Sequence, residues 1–79
     1  MFYVYILKSL KFPEQNYIGF STNLKQRILS HNEGKSKHTS KYKPWKLETY
    51  TAFSDEQKAK KFEAYLKSGS GTAFRKKRL

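Results

Sequence analysis

The sequence predicts a small α+β domain: a three-stranded antiparallel sheet flanked by helices, in the order β-β-α-β-α-α. Three observations carry that expectation. Two short aromatic and β-branched runs stand close together near the start, and a third run alternates with the two-residue period of a strand. Two further stretches repeat with helical spacing behind residues that cap helices. Length agrees, since 79 residues allow one domain over 1–79. A chain of this size buries only about 60% of the surface its unfolded form exposes. Six Phe, six Tyr and one Trp make up for that, because each aromatic buries a large area.

The elements follow in order. Phe2-Tyr3-Val4-Tyr5-Ile6-Leu7 reads as a strand buried on both faces. Lys11 to Asn16, with Pro13, is a turn, and Tyr17-Ile18-Gly19-Phe20 is a second strand close enough to pair antiparallel with the first. Ser21, Thr22 and Asn23 offer N-caps to a helix. Leu24, Ile28 and Leu29 mark its apolar side, and it stops at Gly34, a favourable residue just past a helix end. Residues 35–45 form a basic loop with room for one helical turn. Lys46 to Phe53 is a third strand, with Leu47, Thr49, Thr51 and Phe53 on one face and Glu48 and Tyr50 on the other. Ser54 opens a capping box with Gln57, and the helix behind it carries Ala59, Phe62 and Leu66 on one side. Gly69 and Gly71 break that helix, and Thr72 to Leu79 form a short final helix bearing the basic tail.

Charge narrows the function. Seventeen Lys and Arg against six Asp and Glu give a formal charge of +11, which predicts a polyanionic partner, nucleic acid before an anionic membrane. Lys35, Lys37, Lys41, Lys43 and Lys46 lie in a stretch without acids and are interleaved with Tyr42 and Trp45, as suits a phosphate backbone beside a base or sugar. Arg75, Lys76 and Lys77 add a second basic cluster. No cysteine means no disulfide framework, no thiol catalysis and no Cys-type zinc site. No apolar run approaches the ~20 residues that span a membrane, and Met1 to Leu7 lacks the basic leader and cleavage site of a signal peptide. A soluble cytoplasmic protein, monomeric by default, is expected.

Several residues look wrong for structure alone. Ala59, Phe62, Glu63 and Leu66 fall at i, i+3, i+4 and i+7, which sets a carboxylate on or beside an apolar stripe. Unpaired and ionised, it would cost several kcal/mol. It must pair with a cation such as Lys60 or Lys67, bind a metal, or reach water at the rim. Arg27 and His31 are one turn apart and share a helix face. Tyr5, Tyr17 and the bare Gly19 share a sheet face that is unusually polar for so small a domain, and Gly19 permits close approach by a backbone or ligand.

Together these positions resemble the GIY-YIG nuclease superfamily, in its small single-domain bacterial branch. Tyr3-Val4-Tyr5 stands at the first signature, with Tyr3 in place of glycine, and Tyr17-Ile18-Gly19 matches the second unaltered. Asn23 to Ile28 followed by His31 is similar to the family helix that carries a signature arginine. Phe62-Glu63 before Leu66-Lys67-Ser68-Gly69 resembles the segment with the acidic residue, and Thr39 to Trp45 also looks like the small branch. The family's known fold is a three-stranded antiparallel sheet flanked by helices. The resemblance implies phosphodiester hydrolysis dependent on Mg²⁺ or Mn²⁺, as in nucleases of excision repair, homing and restriction. It implies Glu63 as metal ligand, Arg27 as phosphate and transition-state contact, and Tyr5, Tyr17 and His31 as a hydrogen-bonded group around the attacking water. Tyr5 would accept the water's proton if cationic neighbours lower its pKa. No asparagine follows Asn32, whereas several family members carry one in this part, so weak or substrate-restricted catalysis is among the expected outcomes.

Three functions follow. The first is a metal-dependent endonuclease acting on DNA rather than RNA and selecting structure over sequence. The second is a non-catalytic nucleic-acid-binding module on the same fold. The third is an adaptor for an acidic protein.

Overall fold

The computed structural model describes residues 1–78, so the expected last residue of the final helix, Leu79, lies outside the described residues. Strand β1 (Phe2–Ser9) is the centre of the sheet, between β2 (Asn16–Ser21) and β3 (Trp45–Phe53). Both pairings are antiparallel. That central place explains the continuous apolar run: Val4, Tyr5, Ile6 and Leu7 are all buried, two on each face.

Helix α1 (Leu24–Asn32) covers one face. The Asn23 side chain caps it by accepting from the Gln26 amide at 3.2 Å, and Gly34 leaves it with φ +77°, a left-handed conformation that favours glycine. Helix α2 (Lys37–Ser40) is the single turn inside the basic loop. Helix α3 (Glu56–Lys67) covers the other face, and α4 (Gly69–Arg78) packs beside α3.

The two faces differ in kind. Val4, Ile6, Ile18, Ala59 and Leu66 form an apolar core, with Phe2, Phe20, Phe53, Phe62 and Phe74 packed around it. Each such aliphatic side chain contributes roughly 1.5–3 kcal/mol by leaving water. On the α1 face, Tyr5, Leu7 and Trp45 pack with Tyr17, Leu24, Ile28, Tyr42 and Leu47.

Three sequence expectations are corrected here. Leu47 does not share a face with Thr49. The register places Ile6 opposite Thr49 and Leu7 opposite Leu47, so Glu48 is an extra residue in β3, a bulge that turns Leu47 and Trp45 onto the α1 face. Secondly, α3 is capped by Asp55 rather than Ser54: one carboxylate oxygen accepts from the Gln57 amide at 2.8 Å and the Lys58 amide at 3.5 Å. A negative charge at a helix N-terminus also suits the helix dipole. Thirdly, Gly69 and Gly71 do not break a helix. The break is Ser68, in extended backbone, and both glycines lie in the first turn of α4. Gly71 is required there, because a Cβ would overlap the Tyr65 carbonyl of α3.

Candidate active site

Helix α1 carries two stripes. Leu24 and Ile28 lie on the core beside Leu47, while Arg27 and His31 turn toward β2, an edge of the sheet. Register brings Tyr5 opposite Gly19 and Leu7 opposite Tyr17, so both tyrosines stand on this face. A Cβ on Gly19 would overlap the Tyr5 hydroxyl and ring, and would come 2.9 Å from the Tyr17 Cε2. The close approach that Gly19 permits is therefore that of the Tyr5 side chain, rather than of a backbone or ligand.

A buried polar chain runs from this point. The Tyr5 Oη lies 3.0 Å from His31 Nε2, and His31 Nδ1 lies 2.8 Å from Thr39 Oγ1. Tyr5 is 0% exposed, His31 2% and Thr39 1%. Arg27 acts on the Tyr5 hydroxyl in the direction that lowers its pKa, against the larger effect of burial. The consistent assignment has Tyr5 Oη–H donating to His31 Nε2 and His31 Nδ1–H donating to Thr39 Oγ1. Each member is then satisfied within a low-dielectric interior, where unpaired polar groups are expensive.

Electrostatics fix the protonation states. Burial is the largest influence on Tyr5 and holds its pKa above the ordinary 10.0, although Arg27 opposes it; Tyr17 and Glu63 push it up further. The condition on which Tyr5 would serve as base is thus not met in this state. His31 is held below its ordinary 6.5, first by burial and then by the Arg27 charge, so it is a neutral ring at pH 7.

Tyr17 is half-buried, with its ring centroid 4.8 Å from that of His31 and 6.3 Å from that of Tyr5. It lines a cleft of about 190 Å³ together with Arg27, Ser30, His31, Lys35 and Ser36. Glu63 comes from α3 on the other side of the sheet and reaches Tyr5 through its charge. Its side chain is 22% exposed and paired with Lys67, Nζ to Oε2 at 3.2 Å. Of the three arrangements open to this carboxylate, the structure adopts the pair with the cation four residues on.

The expected basic residues divide. Lys35 joins the Arg27 cleft, although it also pairs with Glu33 at 3.2 Å. Lys37, Lys41 and Lys43 stand exposed on the loop around α2. Lys46 lies opposite Lys8 in the sheet register. Arg75 and Lys76 line a hollow with Ile6, Asn16 and Glu48 on the α3 side of the sheet, and Lys77 is exposed on α4.

Sequence reasoning missed Thr39 as the second partner of His31. It also missed the clamp that holds the loop in place. Asn32 accepts from the Trp45 amide at 2.6 Å and donates to its carbonyl at 3.1 Å, while the Trp45 indole donates to the Thr39 carbonyl at 2.9 Å. The Pro44-Trp45 pair at the end of a basic loop was the available signal, because a tryptophan there must bury itself somewhere.

Comparison with known proteins shows which family the chain belongs to. A structure-specific endonuclease subunit SLX1 homolog of Giardia intestinalis is 37% identical over 65 residues, covering 77% of this chain but only 18% of the Giardia protein's length. UPF0213 protein CPE1444 of Clostridium perfringens is 40% identical over 68 residues, covering 85% of this chain and 71% of that protein. The sequence profile of the GIY-YIG catalytic domain matches residues 1–78. The chain belongs to the GIY-YIG family.

Proposed function

We propose that this chain is a metal-dependent endonuclease that hydrolyses phosphodiester bonds in DNA and selects its substrate by structure more than by base sequence. One observation carries the reading: solvent-accessible Arg27 and half-buried Tyr17 line a single cleft with His31, which is held from behind by hydrogen bonds to buried Tyr5 and Thr39. In this reading Arg27 donates to the non-bridging oxygens of the scissile phosphate, for which its planar, permanent charge is suited. Tyr17 orients the attacking water. Tyr5 and His31, too buried to reach substrate, hold Arg27 and Tyr17 in place.

Glu63 is the residue that would hold Mg²⁺ or Mn²⁺. No three His, Asp or Glu gather into a cage among the described residues. A single partly exposed carboxylate nevertheless fits an ion that keeps most of its waters and takes a further oxygen from substrate phosphate. When bound, the ion neutralises charge on the scissile phosphate and the leaving oxygen. The substrate class is supported by the +11 charge and by the likeness to the Giardia relative, named as a structure-specific endonuclease subunit. The basic residues are spread over the loop and α4 instead of lining one groove-sized helix, which favours backbone contacts over base readout. Nicked and branched DNA arise in repair, and we place the activity there.

The Glu63–Lys67 pair favours a second reading, a binding module that never takes up metal. Cleavage of a labelled panel of plasmid, single-stranded, nicked, flapped and branched DNA in Mg²⁺, Mn²⁺ or EDTA decides between them. The nuclease reading expects metal-dependent cutting that Glu63→Ala abolishes. Binding of the panel without cutting, identical in wild type and Glu63→Ala, overturns it.

A further inference from the structure

Tyr17 has a second side. Beyond it lies a larger cleft of about 310 Å³, where Tyr17 stands with Asn16, His38, Lys67, Thr72 and Arg75. Among the described residues no carboxylate lines this cleft, and its polar side chains all offer hydrogen-bond donors. Arg75 reaches the sheet from α4 and lines this cleft as well as its neighbour on the α3 side. Its Nε is buried and has no hydrogen-bond partner among the described residues. A buried unsatisfied donor is rare in folded proteins and calls for an explanation. Glu48 lines the neighbouring hollow with Arg75, yet makes no ion pair with it.

From these observations we infer that the Lys67–His38–Arg75 cleft is a phosphate site, which takes the phosphodiester next to the scissile one as a strand crosses the β2 edge over Tyr17. The inference rests on the nucleic-acid reading of the Arg27 cleft and extends it. Tyr17 forms a wall common to both clefts, so a strand with one phosphate at Arg27 runs past the ring and delivers a neighbouring phosphate to the far side. There Arg75 supplies a permanently charged, planar donor set, Lys67 a mobile ammonium at the rim, and Asn16 and Thr72 neutral donors. Lys67 joins the two sides chemically. In the free protein it is paired with Glu63, and a phosphate in the cleft competes for the same ammonium.

The site is tested in EDTA, where no cutting can occur. A short single-stranded DNA oligonucleotide is titrated into ¹⁵N-labelled protein while the Nε–H signals of its three arginines are followed. Affinity is then measured against salt for the wild type, Arg75→Ala, Arg75→Lys, Lys67→Ala and Lys58→Ala. Lys58 is an exposed cation at the start of α3, outside the cleft. The expected result is a saturable shift of the Arg75 Nε–H signal. Arg75→Ala and Lys67→Ala should each reduce the slope of log affinity against log salt by about one phosphate contact. Arg75→Lys keeps the charge and much of the packing; it should hold the slope while weakening affinity several-fold, and it remains informative if Arg75→Ala fails to fold. An Arg75 signal that stays still while other resonances move overturns the inference, as does an Arg75→Ala protein that binds like Lys58→Ala. A wild type that binds in EDTA but never cuts the panel removes the catalytic reading and leaves this site standing.

Discussion

The two faces of the sheet solve the same packing problem with different chemistry. On the α3 face, Val4, Ile6, Ile18, Ala59 and Leu66 bury hydrocarbon against hydrocarbon. Beneath α1, the same central strand buries Tyr5 against His31 and Thr39, three polar side chains shut away from water. Non-directional apolar burial needs only matching volume. A buried polar chain needs every donor and acceptor aligned, and it fixes geometry at the edge of the Arg27 cleft. The lesson is a division of labour across one strand, in which alternate residues of β1 serve stability on one side and placement on the other.

Substitutions can break that comparison. The largest effect belongs to the apolar face: Leu66→Ala should lower unfolding stability by about 2–5 kcal/mol, read as a drop in the urea midpoint. Its cutting rate per folded molecule should stay near that of the wild type. Tyr5→Phe keeps the ring over Gly19 but leaves His31 Nε2 without its donor. It should lose a smaller ~1–3 kcal/mol together with most of the cutting rate. If Leu66→Ala abolishes cutting in folded protein while Tyr5→Phe preserves it, the division of labour is wrong.

Acid sharpens the same contrast. The folded protein holds His31 below 6.5, so the unfolded chain binds its proton first. The stability associated with neutral His31 is fully present above pH 6.5 and is lost as the pH falls toward the lower folded value. Protonation also removes the Nε2 lone pair that accepts from Tyr5. Urea midpoints measured across this range should fall on the acid side in the wild type, and the fall attributable to this ring should disappear in His31→Asn.

The smallest effect concerns the bridge to α3. Lys67→Met removes the partner of Glu63 at a partly exposed position, where such pairs contribute about 0–1 kcal/mol. Stability should hardly change, whereas Mn²⁺ affinity in the absence of DNA should rise several-fold, read by electron paramagnetic resonance of the free ion. Unchanged Mn²⁺ affinity would separate Glu63 from metal binding.

Much of this was legible in the sequence, for identifiable reasons. The order of elements followed from periodicity and capping, both local properties. Tyr5 and Tyr17 were visible as polar residues on an unusually polar sheet face and Arg27 and His31 as neighbours on one helix face, while the roles of all four came only from the family resemblance. The bulge at Glu48 was not. Both faces of β3 are covered, so Leu47 and Thr49 alternate with exposed neighbours in the same way whichever face each takes. Asp55 was displaced in the reading by Ser54 because both are good caps one residue apart, and only backbone direction separates them. Thr39 was invisible because its partner lies back across the α1 terminus and a turn, a tertiary relation without a periodic signature. The raised pKa of Tyr5 was equally hidden, since it depends on how deeply the side chain is buried.

The central claim is that chemistry occurs where α1 meets the β2 edge. It is tested most directly by single-turnover cleavage of the preferred DNA by Arg27→Ala, with binding in EDTA and the urea midpoint measured on the same preparation. Arg27 is exposed, so the fold should survive its removal. The account predicts cleavage slowed by about 10²–10³-fold, with only a modest loss of binding. Cleavage at the wild-type rate by the well-folded variant would contradict it and place the chemistry elsewhere on the molecule.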